Sequence, residues 1–186
     1  MNVRLCAAVA EELGELPGVA LGVGPIAAAV AAGRLLAVER PDVLVLIGTA
    51  GAYPGGPAVG EVVVASDLGL ASTARALGLG YVPLAPGDLR GDPELSARVG
   101  VRDARVLTAI AITTDPGLAA KHGERWEVEH MEAFSVAYAC AAAGVRFVAI
   151  LGITNQVGPE AHAEWLRNRA EVQRAVQRVA ARLLPA

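Results

Sequence analysis

The chain carries little net charge, almost no lysine, few aromatic residues and only two cysteines. A formal charge of −3 over 186 residues gives no global pull toward nucleic acid or an anionic membrane. Of the 16 basic residues only Lys121 is a lysine. That bias goes with abundant Ala, Gly and Val, as in GC-rich coding sequence, and reflects no functional demand. Cys6 and Cys140 form no CxxC pair, which excludes a disulfide scaffold, and both sit in apolar runs that read as buried thiols. No Cys/His or His/carboxylate set has metal-ligand spacing, so neither a metal nor a cofactor is expected. Long membrane-type runs are also missing. Leu5–Ala10 is too short for a signal-peptide core, and 133–151 is broken by Gly144 and Arg146, as a buried helix followed by a buried strand would be. The expectation is a soluble, cytoplasmic protein with no nucleic-acid or membrane partner.

What is present is apolar surface: 54% hydrophobic against 19% charged residues, enough for one sizeable core and too short for two. Apolar runs of strand length occur at 2–9, 18–23, 43–47, 61–66, 106–113 and 146–153. Between them, 26–39, 116–123, 132–143 and 160–184 have helical composition or period. Residues 68–100, rich in Gly and Pro, read as mostly irregular. In the last helix Trp165, Val172, Val176, Val179 and Leu183 share one face. Its arginines, interleaved with glutamates, make a solvated face. Strands alternating with helices, with no repeat and no linker, predict one α/β domain over residues 1–186 with a parallel or mixed sheet.

In such sheets ligands bind beyond the carboxyl ends of the strands. Glu11 and Glu12, Gly22-Val23-Gly24, Gly48-Thr49-Ala50-Gly51 and Asn155 all follow strand candidates, and Met131-Glu132 opens a buried helix. Gly22, Gly24 and Ala27 fit G-x-G-x-x-[GA], the dinucleotide fingerprint. The strand before it is short and no acidic residue ends a second strand, so a tight turn with close helix packing is the favoured reading. His122 and His130 read as surface or helix-start residues, and His162 as a remote substrate contact.

Taken in order, Ala7-Ala8-Val9 with Glu12, Gly22-Val23-Gly24, Arg40-Pro41-Asp42 with Gly48-Thr49-Ala50-Gly51, Val59–Val63, Glu129-His130-Met131-Glu132 and Gly152–Gly158 resemble the nucleoside phosphorylase and nucleosidase superfamily. The likeness is to the hydrolytic branch that contains methylthioadenosine nucleosidase and futalosine hydrolase. It covers most of the chain outside 68–105. It implies a single three-layer α/β/α sandwich with a mixed sheet, shortened near the N-terminus, and a homodimer or higher homo-oligomer. It also implies a small-molecule nucleoside substrate and cleavage of the N-glycosidic bond of a purine nucleoside.

The resemblance assigns roles residue by residue. Glu12 would hold and deprotonate the attacking water. Glu132 would accept from the ribose hydroxyls while Met131 packs on the sugar, and Gly24, Thr49, Ala50 and Gly51 would complete the substrate site. Asn155 stands where relatives acting on 6-aminopurines carry aspartate. An amide offers a donor and an acceptor without a proton to deliver, which suits a 6-oxopurine of the futalosine or inosine type. Leu151 replaces the nucleosidase arginine on the last strand, and Leu46 the phosphorylase arginine that holds phosphate. Hydrolysis is therefore expected over phosphorolysis. A phosphorylase of the same fold and a catalytically weakened nucleoside-binding member are the alternatives.

Overall fold

The computed structural model describes residues 1–83 and 87–184; residues 84–86, within the stretch expected to be irregular, and 185–186 lie outside the described residues. The chain opens with β1 (Val3–Ala7), the single-turn α1 (Ala10–Leu13) and β2 (Gly18–Ala20). Then α2 (Pro25–Glu39) starts on a first-turn proline and stops at Arg40, whose N–H caps Leu36 from a left-handed conformation, as the helix signals require.

The third strand, β3 (Val43–Ala52), runs straight through Gly48-Thr49-Ala50-Gly51, which the sequence reading had placed beyond the strand end. Small residues let it pair with neighbours on both edges there, with one register shift between Ala50 and Gly51. β4 (Val62–Leu70) is likewise longer than expected.

The region expected to be irregular holds α3 (Thr73–Ala76), β5 (Leu89–Arg90) and α4 (Pro93–Val99). α4 is specified locally: Asp92 accepts the Leu95 N–H at 3.0 Å, Pro93 sits in the first turn, and Gly100 ends the helix at φ 67°. Arg146 forks onto Asp92 at 2.6 and 2.9 Å, tying α4 to the sheet and holding the Asp92 carboxyl below its ordinary value.

β6 covers Arg102–Thr108, earlier than the expected 106–113. α5 (Pro116–Gly123), capped by Asp115, falls on its predicted residues. Next come β7 (Val128–His130), α6 (Ala133–Ala143), β8 (Arg146–Gln156) and α7 (Ala161–Ala180), followed by one 3-10 turn at Ala181–Leu183.

The strands form one mixed sheet in the order β2-β1-β3-β7-β6-β4-β5, with β8 paired to both β3 and β4. β3, β8, β4, β6 and β7 thereby close a ring, which β1 and β2 extend from β3. On one face Leu44, Leu46 and Leu151 pack with Ala32 and Leu36 of α2 and Phe134 and Cys140 of α6. On the other, Val45, Ile47 and Ile150 pack with Val172, Val176 and Val179 of α7 and Leu95 of α4. The result is the expected three-layer α/β/α sandwich. Both cysteines are buried and free, and burial pushes the Cys140 thiol up to about 12, leaving it unreactive.

Candidate active site

A cavity of about 640 Å³ opens where β1, β3 and β8 end, walled by β7, the residues leading into α6, and α7. Glu12, Thr49, Ala50, Gly51, Met131, Glu132 and Asn155 all line it. Gly24 does not face it. Its N–H donates instead to Glu132 Oε1 at 2.6 Å. Gly22 and Gly24 take φ values of 92° and 90°, which only glycine accepts without strain. This turn is the tight-turn reading realised, with its amide spent on a side chain rather than offered to a pyrophosphate.

Glu12 reaches the cavity from α1 and is only 7% exposed. Thr49 donates to its Oε1 from both N–H, at 2.9 Å, and hydroxyl, at 3.2 Å, and the Ala8 N–H donates to Oε2 at 3.2 Å. Burial pushes the Glu12 carboxyl above its ordinary value, opposed by nearby His130 and the Thr49 donors. The Thr49 hydroxyl also accepts the Trp165 indole N–H at 3.2 Å. α7 is thus held to the same carboxylate through one threonine.

Glu132, 3% exposed, stands just ahead of α6. The sequence predicts His130 at the surface or a helix start. It is buried, and it serves the helix start from inside: Nδ1 accepts the N–H groups of Glu132 and Ala133, both at 3.1 Å. His122 is buried as well, its ring tilted against Tyr53 at 5.8 Å, and burial lowers its pKa. Their helical neighbourhoods hid the fact that both imidazoles point inward.

Asn155 Nδ2 donates to the Gln156 carbonyl at 3.0 Å. The Thr154 hydroxyl lies 2.9 Å from Asn155 Oδ1 and 3.1 Å from the Ala50 carbonyl and donates to one of them. At least one amide N–H and one oxygen lone pair therefore remain for a ligand. Gly51 makes this possible, since a Cβ there would lie 2.8 Å from Asn155 Nδ2.

Three features of the wall were not assigned from the sequence. Glu129 is buried and accepts the Tyr53 hydroxyl at 2.7 Å and the Thr113 N–H and hydroxyl at 2.9 and 2.5 Å. It pins the loop that brings Ile112 to the cavity. Trp165 turns toward the cavity, with His162 stacked on it at 5.8 Å and the Arg169 guanidinium over its ring at 4.6 Å. Among the described residues Arg169 is the only arginine or lysine lining the cavity. The i, i+4 spacing of Trp165 and Arg169 was the one available signal. Leu46 and Leu151, which stand where the resemblance would place arginines, are wholly buried in the apolar core.

The layered fold and the carboxylate-lined cavity at the strand ends define an α/β protein that binds a small polar ligand. Residues 14–185 match the model of the phosphorylase superfamily, and the chain belongs to that family. It is 35% identical over 179 residues to a futalosine hydrolase of Thermus thermophilus, covering 86% of this chain and 79% of the relative. It is 36% identical over 167 residues to a futalosine hydrolase of Streptomyces coelicolor, covering 78% and 69%. Its fold is similar to a 5′-methylthioadenosine/S-adenosylhomocysteine nucleosidase from Colwellia psychrerythraea solved with adenine. The TM-score is 0.84 at 19% identity, over 98% of this chain and 93% of that one.

Proposed function

We propose that the chain is a nucleosidase that hydrolyses the N-glycosidic bond of a purine nucleoside, with a 6-oxopurine such as hypoxanthine as the departing base. The observation that carries this reading is the shared cavity in which the buried Glu12 carboxylate and the Asn155 amide both stand. Water bound at Glu12 gives up a proton to the carboxylate as its oxygen bonds C1′, and the base leaves with the electrons of the broken bond. Asn155 donates to one purine acceptor and accepts from one purine N–H, a pattern a 6-oxopurine satisfies. Glu132 takes the ribose hydroxyls and Met131 packs on the sugar. The futalosine hydrolase relatives support the same substrate class.

Base release from futalosine, inosine and methylthioadenosine, each with and without phosphate, tests the proposal. Phosphate-independent hypoxanthine release is the expected result, and adenine release alone would overturn the assignment of Asn155. Phosphate dependence would establish the phosphorylase reading, which the apolar burial of Leu46 disfavours, and would direct attention to Arg169 as the anion ligand. Asn155→Asp is expected to move the ratio of adenine to hypoxanthine release upward roughly tenfold or more. A mismatched buried polar pair costs about 1–3 kcal/mol. An unchanged ratio would place base selection elsewhere.

The expected homo-oligomer has a candidate surface on the outer side of α2, where Ile26, Val30 and Val38 are 73%, 61% and 83% exposed. A second copy of the chain would cover this stripe. Light scattering on the wild type and Val30→Glu decides, with a monomeric wild type overturning the reading.

A further inference from the structure

We propose that His130 is a second catalytic residue, holding the attacking water by donating to it from Nε2 while Glu12 Oε1 accepts the proton the water gives up. This rests on the nucleosidase reading above. Two backbone N–H groups converge on Nδ1, both at 3.1 Å, so Nδ1 presents a lone pair and the ring proton sits on Nε2. Glu132 Oε2 lies 3.3 Å from Nδ1, farther than either amide, and a proton there would face both N–H groups.

Nε2 therefore carries a fixed donor. Among the described residues no protein acceptor takes it, although the imidazole is 5% exposed and lines the cavity. Such an N–H opens onto the cavity and is free to donate to a molecule held there. Glu12 approaches the same nitrogen beside Gly48. A Cβ on Gly48 would lie 3.1 Å from His130 Nε2 and 3.3 Å from Glu12 Oε1. Donor and acceptor thus crowd the same glycine α-carbon and line one cavity, where a single water can bridge them.

The neighbouring strand supplies no competing donor. Leu151 is the register partner of Gly48 in the parallel β3–β8 pair, so its side chain leaves the sheet on the same face. It is apolar and wholly buried.

In the reaction the water oxygen accepts the Nε2 hydrogen through one lone pair and attacks C1′ with the other. One water proton passes to Glu12, the C1′–N9 bond breaks with its electrons going to the base, and the base takes a proton from solvent. His130 keeps its proton throughout. Its contribution is orientation.

Two substitutions separate this role from the helix-start role of Nδ1. His130→Asn keeps an acceptor near Nδ1 and removes the Nε2 donor; His130→Gln does the reverse. With hypoxanthine release as the assay, His130→Asn is expected to lower kcat about 10²-fold, with little change in KM or Tm. His130→Gln is expected to recover most of kcat while melting lower. Wild-type kcat in His130→Asn would overturn the proposal, as would losses of kcat that follow Tm in both variants. A wild-type protein that releases no base from any of the three nucleosides would overturn the nucleosidase reading, and this one with it.

Discussion

Glu12→Gln is expected to lower kcat for base release by about 10²–10⁴-fold, the range for loss of a positioned general base, with the chain still folded. The amide keeps an oxygen for the Thr49 donors, but it cannot accept the proton that the water must lose. The pH dependence supplies a second reading of the same residue. Because burial pushes the Glu12 carboxyl above 4.5, the wild-type rate should fall on its acid side at a pH above the ordinary glutamate value. The residual rate of the variant should lose that limb. Stability should move with the opposite sign. The folded state holds the Glu12 proton more tightly than the unfolded chain, so this contribution is fully present below the unfolded value. It is lost as pH rises through the raised folded value. Wild-type Tm relative to the Gln variant should therefore decline over that window. A wild-type acid limb retained in Glu12→Gln would assign the base to another group.

Gly152→Ala should be a damaging one-carbon change outside the cavity, and one that reaches the site. A Cβ there would lie 2.3 Å from Val172 Cγ1 and 2.7 Å from Val176 Cγ2. Both are buried, branched side chains of α7 in the core, where close packing leaves little room to retreat. Overpacking of this sort costs about 1–3 kcal/mol, which for a chain of this size is roughly 2–4 °C of Tm per kcal/mol. α7 must shift, and the shift reaches the cavity. The helix donates from Asn168 to the Thr154 carbonyl at 2.8 Å, from Trp165 to Thr49, and from Gln177 to the Glu12 carbonyl at 3.0 Å. KM for the nucleoside should rise together with the fall in Tm. An unchanged Tm would show that the helix yields without cost.

Elements bounded by local chemistry were the legible ones. α2 and α5 were read from a proline in the first turn and a clear stop, signals that act within a few residues. α4 carried the same kind of signal in Asp92-Pro93 and Gly100, masked by the surrounding glycines and prolines. Strand ends were less legible, because pairing partners decide them. β3 continues through Gly48–Gly51 only because β7 and β8 accept its backbone there, and the short, polar β7 has no alternation to reveal it. Motif order located the side chains that line the cavity. It could not show that Gly24 serves Glu132 rather than the ligand, or that His130 faces Glu12 across Gly48. Those depend on approaches between segments far apart in the chain.

The closed ring of strands also governs when the site can exist. Val43 of β3 pairs with Arg146 of β8, and Gly51 with both Glu129 and Asn155. Thr49, which grips Glu12, therefore sits on a strand whose far edge stays bare until the last strand has left the ribosome. Such non-local closure makes folding slow relative to helical chains of similar size. The nascent chain meanwhile exposes the apolar edge of β3 from Val43 to Ile47. Shielding during synthesis matters most over this interval. Once β8 docks, the remaining outer strands are β2 and β5, of three and two residues, too short to template association with another chain.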